Sequence, residues 1–409
     1  MSAENHAVPK SALLLIFVIT FLNTLGMTII MPVVPFLTRH LVSSPGAVAI
    51  WVGILTSAYA LCAFLAAPAL GALSDRVGRR PVLIFSVLGS AVGFVVFGIG
   101  GALWVLLLGR IIDGLSGGNI SAIFAYLADI TPPEERTSRF GLVGAISGVG
   151  FMIGPAFGGV LSTYGLSIPV FVAAGVALAA ALLSIFILPE SLDPAHRSDS
   201  FSLSDVHPLR KITEALSRRD LRPILLLVLA MTIPMAGLQS NLSVFGLDVL
   251  QWGPATIGWF LLGVAVLDIV IQGGLVRFLA PRIGERNLVI AGLVGQGLGY
   301  LIIAIVAAHT SAWLFVFGGL LFAGCEGGTG PALSGWASRS VSHREQGWLM
   351  GGMQSMNSAA RVLGPLIAGA LYLGVGRGGP YWFGLAVVVG IFVLGGSVLV
   401  PGRAAVASA

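Results

Sequence analysis

Charged residues are scarce in this sequence. Of its 409 residues only 10% are Asp, Glu, Lys or Arg, whereas 56% are apolar. Soluble domains carry roughly 25% charged residues. Because so few charges cannot cover a surface that faces water, the composition excludes a soluble enzyme, a nucleic-acid-binding protein and a disordered chain.

Cysteine is also nearly absent. Cys62 and Cys325, the only two, lie inside apolar stretches, which gives neither a disulfide framework nor a metal-binding pattern. The sequence also lacks a cluster of His, Cys and Asp with metal-ligand spacing, a nucleophile beside a base, and a phosphate-binding loop. We therefore expect neither an enzyme nor a metal site.

Long apolar runs, by contrast, fill the chain. A hydrocarbon core ~30 Å thick is crossed by about 20 helical residues. Twelve runs reach that length, at residues 11–34, 48–70, 82–101, 103–128, 138–161, 168–188, 223–247, 255–278, 287–308, 312–337, 347–373 and 380–400. The short alternating segments of a membrane barrel are absent. The sequence predicts an all-α membrane protein with twelve transmembrane helices in two pseudo-symmetric six-helix bundles.

One long polar break divides these runs into six and six. It covers residues 189–222 and separates a predicted N-terminal bundle, 1–188, from a C-terminal bundle, 223–409. The two parts repeat each other: the segment Gly78–Phe94 matches Gly284–Tyr300 at an offset of 206, and Gly154-Pro155 matches Gly364-Pro365 at an offset of 210. A two-part repeat around a polar linker is typical of secondary transporters.

The positions of the basic residues predict the orientation in the membrane. Of the 22 Lys and Arg residues, Arg110 and Arg361 lie inside spans, and Arg39 and Arg377 lie in loops on one side. The other 18 lie in the linker, the termini and the loops on the opposite side. By the positive-inside rule, both termini and the linker are cytoplasmic. The net charge of +5 then reflects topology and lipid headgroups, not a nucleic-acid partner.

The loop between spans two and three carries a distinctive motif. It reads GALSDRVGRR and contains Gly71, Asp75, Arg76, Gly78, Arg79 and Arg80. Its spacing resembles the signature loop of the major facilitator superfamily. Span four adds Arg110 and Gly114 in the family's Arg-x-x-x-Gly pattern.

Span five extends the resemblance. Its segment GFMIGPAFGG contains Gly150, Gly154, Pro155, Gly158 and Gly159. This pattern is similar to that of the twelve-span drug:proton antiporters, and the chain as a whole looks most like the tetracycline efflux proteins of that group. The resemblance implies that the glycine face packs against a helix of the other half.

The resemblance also implies a cytoplasmic latch. Asp129, at the end of span four near Arg76 and Arg79, would pair with a signature-loop arginine, while Asp75 would meet the start of span eleven. These pairs would break when the cavity opens inward.

Five ionisable residues lie within the predicted spans, where such residues are functional candidates. Arg110 and Asp113 are three residues apart and share a helix face; they are either a proton-coupling pair or a permanent structural ion pair. Glu326 has no cation near it in sequence and is the best candidate proton carrier, the alternative being a neutral, hydrogen-bonded Glu. Asp268 is a further proton-coupling candidate, or it pairs with Arg361 in helix packing.

Uncharged polar and soft side chains would line a substrate cavity, since adaptable surfaces suit varied ligands. The candidates are Asn23, Met27, Met31, Met235, Gln239, Asn241, Gln354, Asn357 and Arg361. For each of them ordinary packing is the alternative. Where tetracycline efflux proteins carry an Asp in span one and a His in span eight, this chain has Asn23 and Asp268, so its substrate can differ.

The resemblance thus implies a proton-coupled exporter of amphiphilic or cationic drugs in the bacterial cytoplasmic membrane, working by alternating access. It implies no cofactor, because the proton gradient supplies the energy, and a monomer whose partners are a small molecule, protons and the lipid bilayer. The alternatives are an exporter or flippase of a lipid or endogenous metabolite on the same fold, and a membrane receptor that does not transport.

Overall fold

The chain is all helical, without strands, over the residues that the computed structural model describes, namely 10–117, 120–197, 213, 216–218, 221–339, 341–342 and 345–394. The first half contains α1 (Lys10–Ile29), α2 (Val34–Arg39), α3 (Pro45–Val77), α4 (Arg79–Ile99), α5 (Leu103–Ser116), α6 (Ile120–Ile130), α7 (Arg136–Leu161) and α8 (Ile168–Phe186). The second contains α9 (Arg222–Asp248), α10 (Pro254–Val270), a π-helical segment (Ile271–Leu275), α11 (Val276–Ile283), α12 (Glu285–Val306), α13 (Ala312–Arg339), α14 (Gln346–Gly374) and α15 (Gly379–Leu394).

Ten helical stretches among the described residues are long and apolar enough to cross a membrane. Gln346–Gly374 and the shorter apolar helix Gly379–Leu394 occupy the last two predicted spans. In span four the structure describes α5 up to Ser116 and α6 from Ile120, on either side of residues 118–119. The predicted all-α membrane fold is confirmed.

The chain forms two compact units. One comprises Met1–Val33 and Leu61–Pro208, the other Val34–Ala60 and Leu209–Ala409. The division after Pro208 falls inside the predicted linker, and the first part of α3 is grouped with the second unit. The bundle boundaries taken from the sequence remain predictions.

Each unit uses the same set of helix pairs. In the first unit α4 packs on α5 and α8, and α1 packs on α7 and α8. In the second unit α12 packs on α13 and α15, and α9 packs on α14 and α15. Since these elements correspond one to one along the chain, the sequence repeat is a structural repeat.

Glycines set the closest helix contacts at equivalent positions of the repeat. A Cβ added to Gly93 on α4 would lie 2.9 Å from the Gly109 carbonyl oxygen on α5. A Cβ added to Gly299 on α12 would lie 3.1 Å from the Gly318 oxygen on α13. Small residues permit such backbone approach between membrane helices.

The glycine face of α7 corrects one expectation. Gly150, Gly154 and Gly158 meet α1, a helix of the same half: a Cβ at Gly158 would collide with the Ile29 carbonyl oxygen, and one at Gly154 with the Thr28 hydroxyl. The Thr28 hydroxyl also donates to the Gly150 carbonyl oxygen at 3.1 Å. The prediction that this face packs against the other half is therefore wrong for these three glycines. Their spacing of four fixes a flat seam but not which helix fills it.

Candidate functional site

Arg110 and Asp113 form a buried ion pair in the first unit. Both lie on α5, with 8% and 3% of their surface exposed, and Arg110 Nη1 is 3.2 Å from Asp113 Oδ2. The guanidinium also lies 5.8 Å from the centre of the Phe97 ring, and Ser90 on α4 is close enough to interact with the Asp113 carboxylate. Gly93 leaves room for this carboxylate, because a Cβ there would lie 2.9 Å from that of Asp113.

Glu326 and Asp268 come together in the second unit. Asp268 on α10 packs against Gly327 on α13, where a Cβ would collide with the Asp268 Oδ1 atom. That oxygen is buried and has no hydrogen-bond partner among the described residues. Glu326 interacts electrostatically with Asp268 and Arg361. Asp268 does not form the alternative pair with Arg361 in the described part of the chain, because no carboxylate oxygen of Asp268 lies within 4.0 Å of the Arg361 guanidinium.

The predicted cavity residues differ in exposure. Gln239, Gln354 and Arg361 are exposed, and Asn241 is buried. The remaining candidates are half-buried, namely Asn23, Met27, Met31, Met235 and Asn357.

Two of these amides have defined surroundings. The Thr232 hydroxyl on α9 donates to Asn357 Oδ1 on α14 at 3.0 Å, which connects two neighbouring helices. Asn241 has only 1% of its surface exposed, and its side-chain amide has no hydrogen-bond partner among the described residues.

The signature loop builds a cluster around Arg79, which is 8% exposed. Its Nε donates to Asp129 Oδ2 at 3.1 Å, its Nη1 donates to the Ser74 hydroxyl at 2.7 Å, and it also pairs with Asp75. The expected pairing of Asp129 with a signature-loop arginine is confirmed, and the arginine is Arg79. We call Asp75, Arg79 and Asp129 the Arg79 cluster.

The other motif residues surround this cluster. Gly71 packs near Ser121, Arg76 is exposed, and an Arg80 Nη2 donates to the Ile185 carbonyl oxygen. Gly78 precedes α4 with a φ of 109°, a backbone conformation that favours glycine. On α7, Pro155 and Gly159 are buried beside the seam.

The second unit holds a counterpart with the charges exchanged. Arg339 Nη2 lies 2.9 Å from Glu285 Oε1. Glu285 follows Arg79 at the repeat offset of 206, and Arg339 follows Asp129 at an offset of 210. The same two helix ends are thus joined by an ion pair in both units, with the acid and the base on opposite partners.

Two important acids were not predicted from the sequence. Asp248, at the end of α9, is 7% exposed; it accepts bonds from Arg377 at 2.8 and 2.9 Å and from the Tyr372 hydroxyl at 2.7 Å. Glu190, two residues past the predicted span six, accepts a bond from the backbone N–H of Arg79 at 2.8 Å. Two features of the sequence could have identified Glu190. It is a carboxylate directly after span six, and α4 begins at Gly78, which cannot cap the helix with a side chain.

Metal binding has no support in the described residues, among which no group of three or more His, Cys, Asp or Glu could hold an ion. The buried groups can instead exchange protons and form ion pairs.

Comparison with known proteins gives one family. The sequence-family model of the Major Facilitator Superfamily matches residues 16–288 and 254–406 of this chain. The chain is 35% identical over 388 residues to the tetracycline resistance protein, class C, of Escherichia coli, which covers 93% of this chain and 94% of that protein. It is 28% identical to multidrug resistance protein 2 of Bacillus subtilis (strain 168), with 86% of each covered. The crystal structure of the human organic anion transporter MFSD10 (TETRAN) is similar, with a TM-score of 0.67, 24% identity, and 95% of this chain and 99% of that chain covered.

Proposed function

Because the chain belongs to the major facilitator superfamily and is a multi-pass membrane protein, we propose that it is a proton-coupled exporter of amphiphilic or cationic drugs. Its relatives include proteins named for tetracycline resistance and for multidrug resistance. The two repeated units would provide access to the cavity alternately from each side of the membrane.

The observation that carries this proposal is the buried Arg110–Asp113 pair within a membrane span. Ionisable groups at this depth are costly and are found in proton relays. Removing a proton from Asp113 creates a charge that Arg110 stabilises, so movement of the arginine would change the proton affinity of the carboxylate. Asp113 is thereby suited to exchange a proton during the transport cycle.

Glu326 is the proposed proton carrier of the second unit. It lies on α13 with Asp268 and Arg361 in electrostatic range, and it makes no hydrogen bond or ion pair with another described residue. A carboxylate that is not held by a fixed ion pair can bind and release a proton without breaking one. Arg110 and Asp268 would then modulate Asp113 and Glu326 respectively.

The substitution Glu326→Gln tests the role of this carboxylate. Reconstituted in liposomes with an imposed pH gradient, the variant should lose proton-driven drug uptake and drug-dependent proton flux, because an amide cannot carry the proton. Glu134→Gln, at an exposed position in a basic loop, is the matched control and should transport normally. Unchanged transport by Glu326→Gln would remove Glu326 from the mechanism.

A binding panel tests the substrate class. Purified protein should gain thermal stability with cationic amphiphilic drugs, since a ligand that binds only the native state stabilises it by mass action. Stabilisation by lipids alone would instead favour a lipid exporter. The bacterial cytoplasmic membrane as location, the cytoplasmic termini and the monomeric state belong to the same proposal.

A further inference from the structure

The helix that carries Arg79 begins without a cap of its own. Its N-cap residue is Gly78, which has no side chain to accept the free N–H groups of the first turn. With a φ of 109°, Gly78 also turns the chain sharply into α4. An acceptor from elsewhere must satisfy these N–H groups if the turn is to stay ordered.

Glu190 supplies that acceptor from the end of span six. Its Oε1 atom accepts from the backbone N–H of Arg79 at 2.8 Å, and its Oε2 atom accepts from that of Arg80 at 3.2 Å. The Oε1 atom also accepts from the N–H groups of Ser191 and Leu192, at 3.0 and 3.1 Å. The negative charge of Glu190 is also stabilised by the positive N-terminal end of the α4 helix dipole.

Arg79 is therefore held at both ends. Glu190 fixes its backbone, while Asp75 and Asp129 bind its guanidinium. The residue after Glu190 joins the same network, since the Ser191 hydroxyl donates to Asp129 Oδ2 at 3.0 Å. The carbonyl oxygen of Pro189, the residue before Glu190, accepts a hydrogen bond from the buried Tyr126 hydroxyl at 2.9 Å.

We propose that Glu190 is a positioning residue for the Arg79 cluster, and that it connects the state of this cluster to the linker between the two halves. The inference rests on the proposed function, an alternating-access cycle, and on the latch that the family resemblance implies, in which this cluster holds one conformation of that cycle. Because Glu190 is the second residue of the predicted linker, movement of Glu190 away from α4 would withdraw the cap and loosen Arg79. A cluster that opens would in turn release Glu190 and Ser191.

The second unit provides an internal comparison. Gly284 is the repeat equivalent of Gly78 and also has a positive φ, of 80°, before α12. A Cβ at Gly78 would collide with the Glu190 carboxylate, whereas one at Gly284 would meet nothing within 4 Å. Alanine at either position imposes the same type of backbone strain, but only at Gly78 does it also displace Glu190.

The experiment combines four variants, Glu190→Gln, Gly78→Ala, their double variant and the control Gly284→Ala. Spin labels are placed on the exposed Thr137 and Arg282, with Cys62 and Cys325 replaced by serine, and the populations of open and closed forms are measured by pulsed electron resonance. This readout needs neither drug nor proton gradient, so it stands even if the protein exports no drug. Drug transport by the same variants tests the proposed function separately.

We expect Glu190→Gln and Gly78→Ala each to raise the ratio of open to closed populations by about fivefold, the usual effect of a lost helix cap. The double variant should show no further change, because both substitutions remove the same contact. In transport assays the maximal rate should change while the KM for drug stays constant. Gly284→Ala should leave the ratio as in the unmodified protein.

Three results would overturn the inference. They are an unchanged ratio in Glu190→Gln, an additive effect in the double variant, and an equal shift in Gly284→Ala. If Glu190→Gln fails to fold, Glu190→Asp replaces it. Aspartate keeps the negative charge but has a shorter side chain. An intermediate ratio of open to closed populations therefore supports the inference, and an unchanged ratio contradicts it.

Discussion

Buried charges in this protein occur with defined partners or close to one another. Arg110 pairs with Asp113 on the same helix, and Asp248 binds both Arg377 and Tyr372. Breaking a buried pair leaves one charge uncompensated, which costs about 3–5 kcal/mol, whereas replacing both members by apolar residues is often neutral. This asymmetry separates the structural contribution of such a pair from its role in transport.

For the pair on α5 we predict that Asp113→Asn lowers the melting temperature in detergent markedly, because Arg110 keeps its charge at 8% exposure. The double variant Arg110→Met/Asp113→Leu should recover most of the stability but no proton-driven transport. Thermal unfolding together with proton flux in liposomes measures both. A double variant that still couples drug to protons would show that the pair is only structural.

Pairs of neighbouring helices pack closely along rows of glycines, which we call glycine seams. On α7 the seam against α1 is so close that a Cβ at Gly158 would collide with the Ile29 backbone, while Gly144 on the same helix has nothing within 4 Å of its Cβ position. In the second unit, a Cβ at Gly364 on α14 would meet α9 in the same way, 2.9 Å from the Gly237 nitrogen. The seam is thus part of the repeat.

We predict that Gly158→Ala destabilises the protein by about 1–3 kcal/mol, because overpacking forces the two backbones apart. Gly144→Ala, the control on the same helix, should be neutral or slightly stabilising, since alanine is favoured over glycine in a helix interior. Melting temperatures of the two variants give the comparison. Equal effects at both positions would mean that the α1–α7 seam is not under steric constraint.

The positions of charged and aromatic residues along the chain predict the orientation of the molecule in a membrane. Each helix that follows or precedes a basic loop has its other end away from that loop. Exposed aromatic residues lie at or just beyond such ends, namely Trp104 at the start of α5, Tyr164 just after α7 and Trp313 at the start of α13. Trp and Tyr favour the headgroup region of a bilayer. These residues fit a membrane interface on the side opposite the basic loops.

We predict that a fluorescent protein fused after residue 409 fluoresces, as it does only when it folds in the cytoplasm, and that a cysteine replacing Arg39 reacts with an impermeant reagent added to intact cells. Arg39 is exposed at the end of α2 and is one of the two basic residues predicted on the far side, and replacing it leaves the Arg377–Asp248 pair intact. A cysteine replacing the exposed Thr137 is the control and should react only after the membrane is opened. The reverse pattern would invert the proposed topology.

The pairing of Asp129 with a signature-loop arginine came from the family resemblance, but the membrane environment, the helical class and the repeat could be predicted directly from the residues. These follow from the length of apolar runs and from local spacing, both of which act along the chain. The pairing of Arg110 with Asp113 is likewise local, being three residues apart on one helix.

Three features depend on tertiary packing and could not be predicted from the sequence. The glycine seam of α7 is filled by α1, Asp268 lies beside Glu326, and Glu190 caps α4 across 111 residues of chain. The tertiary structure also showed that the ion pair at the ends of α12 and α13 reverses the charges of its counterpart in the first unit. Spacing fixes the face on which a residue lies, but the partner across that face depends on how helices far apart in sequence pack. A backbone N–H group or a buried carboxylate can be satisfied by any acceptor or donor that this packing brings within reach.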